Sequence, residues 1–298
     1  MARTGYQIVS PSPWPISSAF SVLGLCTSVI IFASEGLTFV FWSNFIFSIF
    51  LTGFTLSNWW SDIVMESTHL GEWSSYVLRT YVWGFRFFIL SEAFFFGALI
   101  GSFIYVSLGE TSIHGVGFWP PRGVKPISPE KIALLNTSIL VGSSAVVNWA
   151  YYCVKAHNLL PVKPAKRIVW VRTGLTYSLK RATSLIYQAQ GLWSLGLTIL
   201  MGIVFTSLQV MEYYWCSFTF ADGICGSIFF LLTGFHGAHV IIGTVFLSVC
   251  LGRLYYFHFS FKHFYFGMWA AAWYWHFVDA IWLVVYSLVY IWGYWGYN

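Results

Sequence analysis

Charge is what this sequence has least of. Only 8% of its 298 residues are Asp, Glu, Lys or Arg, against about 25% in a soluble globular chain. Such a chain cannot cover itself with a polar surface, so a soluble domain is excluded. The five cysteines, Cys26, Cys153, Cys216, Cys225 and Cys250, are odd in number and form no C-x-x-C pair. Neither a disulfide framework nor a zinc site is implied, and they read as buried apolar fillers. The net charge of +5 is modest, and no basic patch alternates with exposed aromatics. That suits an anionic lipid surface and argues against nucleic acid. The N-terminal stretch to Pro15 holds one cation, Arg3. It has neither the Arg-rich character of a transit peptide nor the cleavage pattern of a signal peptide, so the first apolar span is expected to stay in the mature protein. No internal repeat is found, which leaves an inverted-repeat transporter without support.

What the chain has is apolar length. It is 58% hydrophobic and 21% aromatic, the composition of a polytopic membrane protein. Seven runs approach or exceed the ~20 residues needed to cross ~30 Å of hydrocarbon. They are 16–34, 37–65, 76–108, 136–155, 190–214, 223–255 and 269–294. Ser34-Glu35-Gly36 reads as a tight turn, and the third run is long enough to tilt or protrude. After it come Gly115, Gly117, Pro120, Pro121, Gly123, Pro126 and Pro129, a loop that is not expected to be helical. The polar stretch 157–181 carries Lys163, Lys166, Arg167, Arg172, Lys180 and Arg181. It reads as an extramembrane loop with room for a short basic helix on the bilayer surface. Eleven of the 15 cations fall on the N-terminal side or in alternate loops, which puts the N-terminus on the positive side and the C-terminus across the membrane.

The few ionisable groups inside these runs stand out, because an insertion cost of roughly 2.5–3.5 kcal/mol at mid-membrane makes each one an exception. His276 and Asp279 in the last run share a helical face. They can hydrogen-bond each other as a packing pair, or serve as a proton relay or ligand site. Glu92, with no cation at i±3 or i±4, reads as a functional carboxyl or as a packing bond to a neighbouring helix. Gly97 and Gly101 after it have the spacing for close helix approach. His236 and His239 lie three apart; a metal would need further ligands, so bonds to headgroups or a partner helix are the stronger reading. Trp59, Trp60 and Asp62, followed by Glu66 and His69, read as a headgroup site or as an ordinary aromatic belt.

In chain order, several segments carry a resemblance: Pro11-Ser12-Pro13-Trp14-Pro15, Trp59-Trp60 through Glu66-Ser67-Thr68, Ser91-Glu92, Trp119-Pro120-Pro121 and Leu134-Leu135-Asn136-Thr137-Ser138. They continue with Glu212-Tyr213-Tyr214, the run from Gly234 to Gly243, and Trp273-Tyr274-Trp275-His276-Phe277-Val278-Asp279. By these the chain resembles the cytochrome c oxidase subunit III family of mitochondrial type over nearly its whole length. The resemblance implies an all-α integral membrane fold of seven helices. A two-helix group (16–65) and a five-helix group (76–294) would flank a V-shaped cleft holding phospholipids, with the basic loop 157–181 outside the membrane. It implies a non-catalytic core subunit of the oxidase in the mitochondrial inner membrane, N-terminus in the matrix and C-terminus in the intermembrane space. Partners would be subunits I and II, which hold the haem and copper, and small accessory subunits. This chain would hold no redox centre and would support electron transfer from cytochrome c to oxygen, proton uptake and turnover stability.

Residue by residue, the resemblance implies contacts with cardiolipin, phosphatidylglycerol or phosphatidylethanolamine at Trp59, Trp60, Glu66, His69, Arg79, His236, His239, Arg253 and His258. Glu92, His276 and Asp279 would be the buried, proton-linked groups. The chain departs from the family pattern at Trp73, Gly101, Tyr256 and Met268. Rival readings are a catalytic oxidase subunit, which needs more intramembrane His than His236, His239 and His276, and a proton channel through Glu92 and Asp279, which needs a polar file between them.

Overall fold

A computed structural model describes residues 11–108, 119, 121, 124–159, 170–259 and 265–295; side chains 157–159, 170–184 and 295 are not described. The described residues form helices α1 (Trp14–Glu35), α2 (Phe39–Thr68), α3 (Ser75–Leu108), α4 (Leu134–Leu159), α5 (Trp170–Tyr214), α6 (Gly223–Tyr255) and α7 (Phe266–Val285). A wide π turn, Pro129–Ala133, leads into α4, and α7 continues through a second one, Tyr286–Trp292, to Gly293–Trp295. Among the described residues, seven helices are long and apolar enough to cross a membrane, as an all-α membrane fold requires. Chain contacts divide the protein into two compact units, Met1–Val82 and Trp83–Asn298.

In the first unit α1 and α2 form a hairpin. Gly36 takes a positive φ (75°) and its N–H bonds to Phe32 O at 3.0 Å, a conformation open to glycine because it has no Cβ. The Thr38 side chain then caps α2 by accepting from the Phe41 N–H. Lipid gives apolar faces little reason to associate, so the seam is built from small and polar residues. Gly24 lies against Ser48. Ser17 bonds Thr55 at 2.7 Å, and the Trp14 indole donates to Asp62 at the far end of α2. The Asn44 amide donates to Gly24 O, Thr27 Oγ1 and Ser28 Oγ at 3.1, 3.0 and 2.9 Å. Asn44→Leu is expected to loosen this hairpin by about 1–2 kcal/mol, at about 0.6 kcal/mol per interhelical bond. Amide exchange over α1 and α2 in the full chain should then accelerate about 5- to 30-fold.

In the second unit α7 packs on α4 and α6, and α5 on the same two helices. The buried residues of α7 recur at Met268, Ala271, Trp275, Val278, Trp282 and Val285, the three-and-four spacing of one helical face. Trp275 is wholly buried. A Cβ at Gly202 of α5 would lie 2.7 Å from its ring, and one at Gly243 of α6 would lie 3.0 Å from it. The two glycines are the space the indole occupies. Its N–H donates to Ser143 Oγ at 2.7 Å, the Trp282 N–H to Thr137 Oγ1 at 3.0 Å, and the Tyr286 hydroxyl to Pro129 O at 3.1 Å. This ladder stitches α7 and the π turn after it to α4 and the π turn before it.

One sequence expectation changes, and a helix that another left room for is found. Pro129 opens a helical turn, because a proline at the first position removes no helical bond. The stretch 157–181 is helical from Trp170 onward, continuous with the fifth span, and only 160–169 of it lie outside the described residues.

Candidate functional site

In the second unit Glu92, His236, His276 and Asp279 are each taken up by a neighbouring helix. Glu92 on α3 has a partner no local pattern revealed: its Oε2 lies 3.0 Å from His239 Nε2 on α6, with the two side chains 24% and 11% exposed. His239 Nδ1 lies 2.8 Å from Phe235 O, one turn back. A carbonyl only accepts, so Nδ1 carries a proton and donates it. The pair therefore has one further proton to place, on Oε2 or on Nε2. Either placement leaves it neutral overall and hydrogen-bonded, which removes the penalty of a lone charge in lipid. Phe96 packs edge-on to this imidazole and Tyr274 stacks beside it.

His236 is turned elsewhere. It is 1% exposed, lies beside Phe205 and Trp282, and its Nε2 donates to Val278 O on α7 at 3.1 Å. The expectation that it faces phospholipid is corrected: the ring is a strut between α6 and α7. His236 and His239 do not converge, and among the described residues no three His, Cys, Asp or Glu side chains come together.

His276 and Asp279 also differ from the mutual pair considered above. His276 Nε2 donates to Asn148 Oδ1 at 2.9 Å, and Asp279 Oδ2 accepts from Ser144 Oγ at 2.9 Å. Ser144 and Asn148 are one turn apart on α4, so two α7 residues meet two α4 residues in register. The i, i+3 spacing placed His276 and Asp279 on one face correctly, and that face meets α4.

Arg253 and His258 are brought together by the end of α6. Phe257 adopts the left-handed conformation (φ 60°). The His258 N–H bonds to Arg253 O at 2.9 Å and the Phe257 N–H to Leu254 O at 3.1 Å, a Schellman termination with a non-glycine at its bend. The Arg253 guanidinium lies over the Phe259 ring at 4.8 Å.

Of the residues expected at headgroups in the first unit, Trp60 and His69 are exposed and Trp59 and Glu66 half-buried near the end of α2, while Arg79 is exposed on the first turns of α3. Asp62 beside them is engaged with Trp14.

Sequence reasoning passed over one cluster. Glu212, near the end of α5, is 4% exposed. Its Oε2 accepts from Tyr290 Oη at 2.8 Å and Gln209 Nε2 at 3.0 Å. Gln209 is three residues before Glu212, so the rule applied to His276 and Asp279 could have found that half; Tyr290 gave no signal. A cavity of about 30 Å³ beyond Tyr290, lined by Phe103, Trp119 and Phe229 among others, has the volume of one water.

Comparison with known proteins agrees with this architecture. The family model described as cytochrome c oxidase subunit III matches residues 4–171 and 166–294. Proteins named cytochrome c oxidase subunit 3 from Osphranter robustus and Struthio camelus are each 42% identical over 290 and 288 residues, covering 97% of this chain and 97% of each relative. The protein of that name from Pisaster ochraceus is 39% identical over 288 residues, with the same coverage. A match of this length and extent, laid over seven membrane-crossing helices, shows that the chain belongs to the cytochrome c oxidase subunit III family.

Proposed function

We propose that this chain is a non-catalytic core subunit of cytochrome c oxidase. Subunits I and II and the small accessory subunits are its partners, and the partners hold the haem and copper. Electrons pass from cytochrome c to oxygen in those partners, with proton pumping, in the mitochondrial inner membrane. The N-terminus lies in the matrix and the C-terminus in the intermembrane space, as the distribution of cations favours. The observation that carries the reading is the end-to-end match to relatives named for that subunit. The helices support it chemically. His236, His276 and Asp279 are committed to helix–helix bonds, as suits a packing subunit.

The finer roles rest on the match to the family. Trp59, Trp60, Glu66, His69 and Arg79 in the first unit, and Arg253 and His258 in the second, are the contacts for cardiolipin, phosphatidylglycerol or phosphatidylethanolamine. Glu92 with His239 is the proton-linked pair supporting proton uptake and turnover stability. The basic stretch 157–181 meets anionic lipid or an accessory subunit.

The test is purification through a tag on this chain from the membrane of its source. The expected result is co-purification of haem-bearing partners with cytochrome c oxidation, and no haem Soret band or stoichiometric copper on this chain once separated. Recovery without any haem protein, or iron ligated by His236, His239 or His276, would overturn the proposal.

A further inference from the structure

Arg86 is a cation that none of these roles uses. It lies on α3, is exposed, and its guanidinium sits 4.9 Å from the centre of the Trp83 ring, within the range of a cation–π contact. α3 has 34 residues, about 51 Å at ~1.5 Å per residue, and so exceeds the ~30 Å of hydrocarbon by roughly 20 Å. With that excess shared between its ends, Arg86, about 16 Å along the axis, lies only about 6 Å inside the hydrocarbon boundary. Trp83 is one turn nearer the helix start, so the guanidinium is folded back toward the nearer headgroup layer, as a snorkelling cation is. Deeper along the same ridge Phe87, Leu90 and Phe94 are all exposed, at the spacing of one helical face. Glu92, the carboxylate nearest in sequence, is engaged with His239.

We propose that Arg86, stacked on Trp83, binds the phosphate of an anionic phospholipid whose acyl chain lies along Phe87, Leu90 and Phe94. A planar guanidinium presents two parallel N–H groups to a phosphate, and contact with the Trp83 ring limits where it can turn. The occupant is a lipid because the cation faces the headgroup layer and the ridge behind it is wholly apolar; a partner helix offering a carboxylate would meet Arg86 below that layer. The inference rests on the chain spanning a membrane and not on its place in an oxidase.

The test uses the full chain in nanodiscs of phosphatidylcholine with or without phosphatidylglycerol, and counts retained lipids by native mass spectrometry. The preference for phosphatidylglycerol is expected to fall about fivefold in R86Q, about threefold in W83L, and least in R86K, with inorganic phosphate failing to displace the lipid. An unchanged preference in both R86Q and W83L overturns the proposal. If R86Q does not fold, W83L alone decides. Displacement by inorganic phosphate would make the site a free-anion site, and a partner's carboxylate seated on Arg86 in the assembled complex would make it a protein interface; either result also overturns it.

Discussion

Replacing Glu212 with alanine is expected to destabilise the second unit by about 2–4 kcal/mol, from two buried donors left unmade at about 1–3 kcal/mol each. Tyr290 Oη and Gln209 Nε2 both end on Glu212 Oε2, and all three residues are almost fully buried, so water cannot replace the lost acceptor. In the membrane, donors in the unfolded chain also find partners, which is why the lower part of the summed range is expected. Glu212→Gln keeps an acceptor oxygen at the same reach and should cost no more than about 1 kcal/mol. Tyr290→Phe removes the bond to Glu212 and the longer one accepted from Gln209 Nε2 at 3.4 Å, but leaves Gln209 bonded to Glu212, and should fall between them. Thermal unfolding of the purified full chain in detergent gives the order. A Glu212→Gln variant as unstable as Glu212→Ala would mean that the charge, and not the acceptor, is what this cluster needs.

Trp275→Ala is the second large effect, expected at about 3 kcal/mol. Soluble cores lose about 3–5 kcal/mol on such a truncation. Part of that is transfer from water, which has no counterpart between helices already in lipid. The remaining part is lost dispersion around an empty volume, and it is large here because the ring touches α5 and α6 and bonds to α4. A coupled experiment separates this from a general loss of packing. Gly202→Ala alone puts a Cβ 2.7 Å from the ring and should destabilise; in the Trp275→Ala background the same methyl enters vacated space and should be neutral or stabilising. Equal effects in both backgrounds would show that Gly202 and Trp275 do not share that volume.

The spans were legible because a helix in lipid needs length and apolarity more than pattern, and α1, read as 16–34, is found at Trp14–Glu35. Pro129 reads as a breaker in sequence, although a proline costs a helix nothing at its first position. The residues from 170 to 181 are helical, as the room for a short basic helix in 157–181 allows, because polarity reports the surrounding solvent and not the backbone. At the site, spacing rules found faces and missed partners. Glu92 and His239 are 147 residues apart, and nothing local to either announces the other. Ser144 and Asn148, which engage Asp279 and His276, are unremarkable in sequence until α7 is laid against α4.

The Glu92–His239 pair bears on how this part of the chain responds to the electrical potential of an energised membrane. Its single shared proton makes the couple neutral in both of its forms, so a transmembrane voltage exerts no net force on it. Even a complete transfer across the 3.0 Å bond, directed straight along the bilayer normal, moves a unit charge through only about a tenth of the ~30 Å hydrocarbon. At about 2.3 kcal/mol per charge per 100 mV, that amounts to about 0.2 kcal/mol. A potential of that size hardly biases which end of the bond the proton occupies.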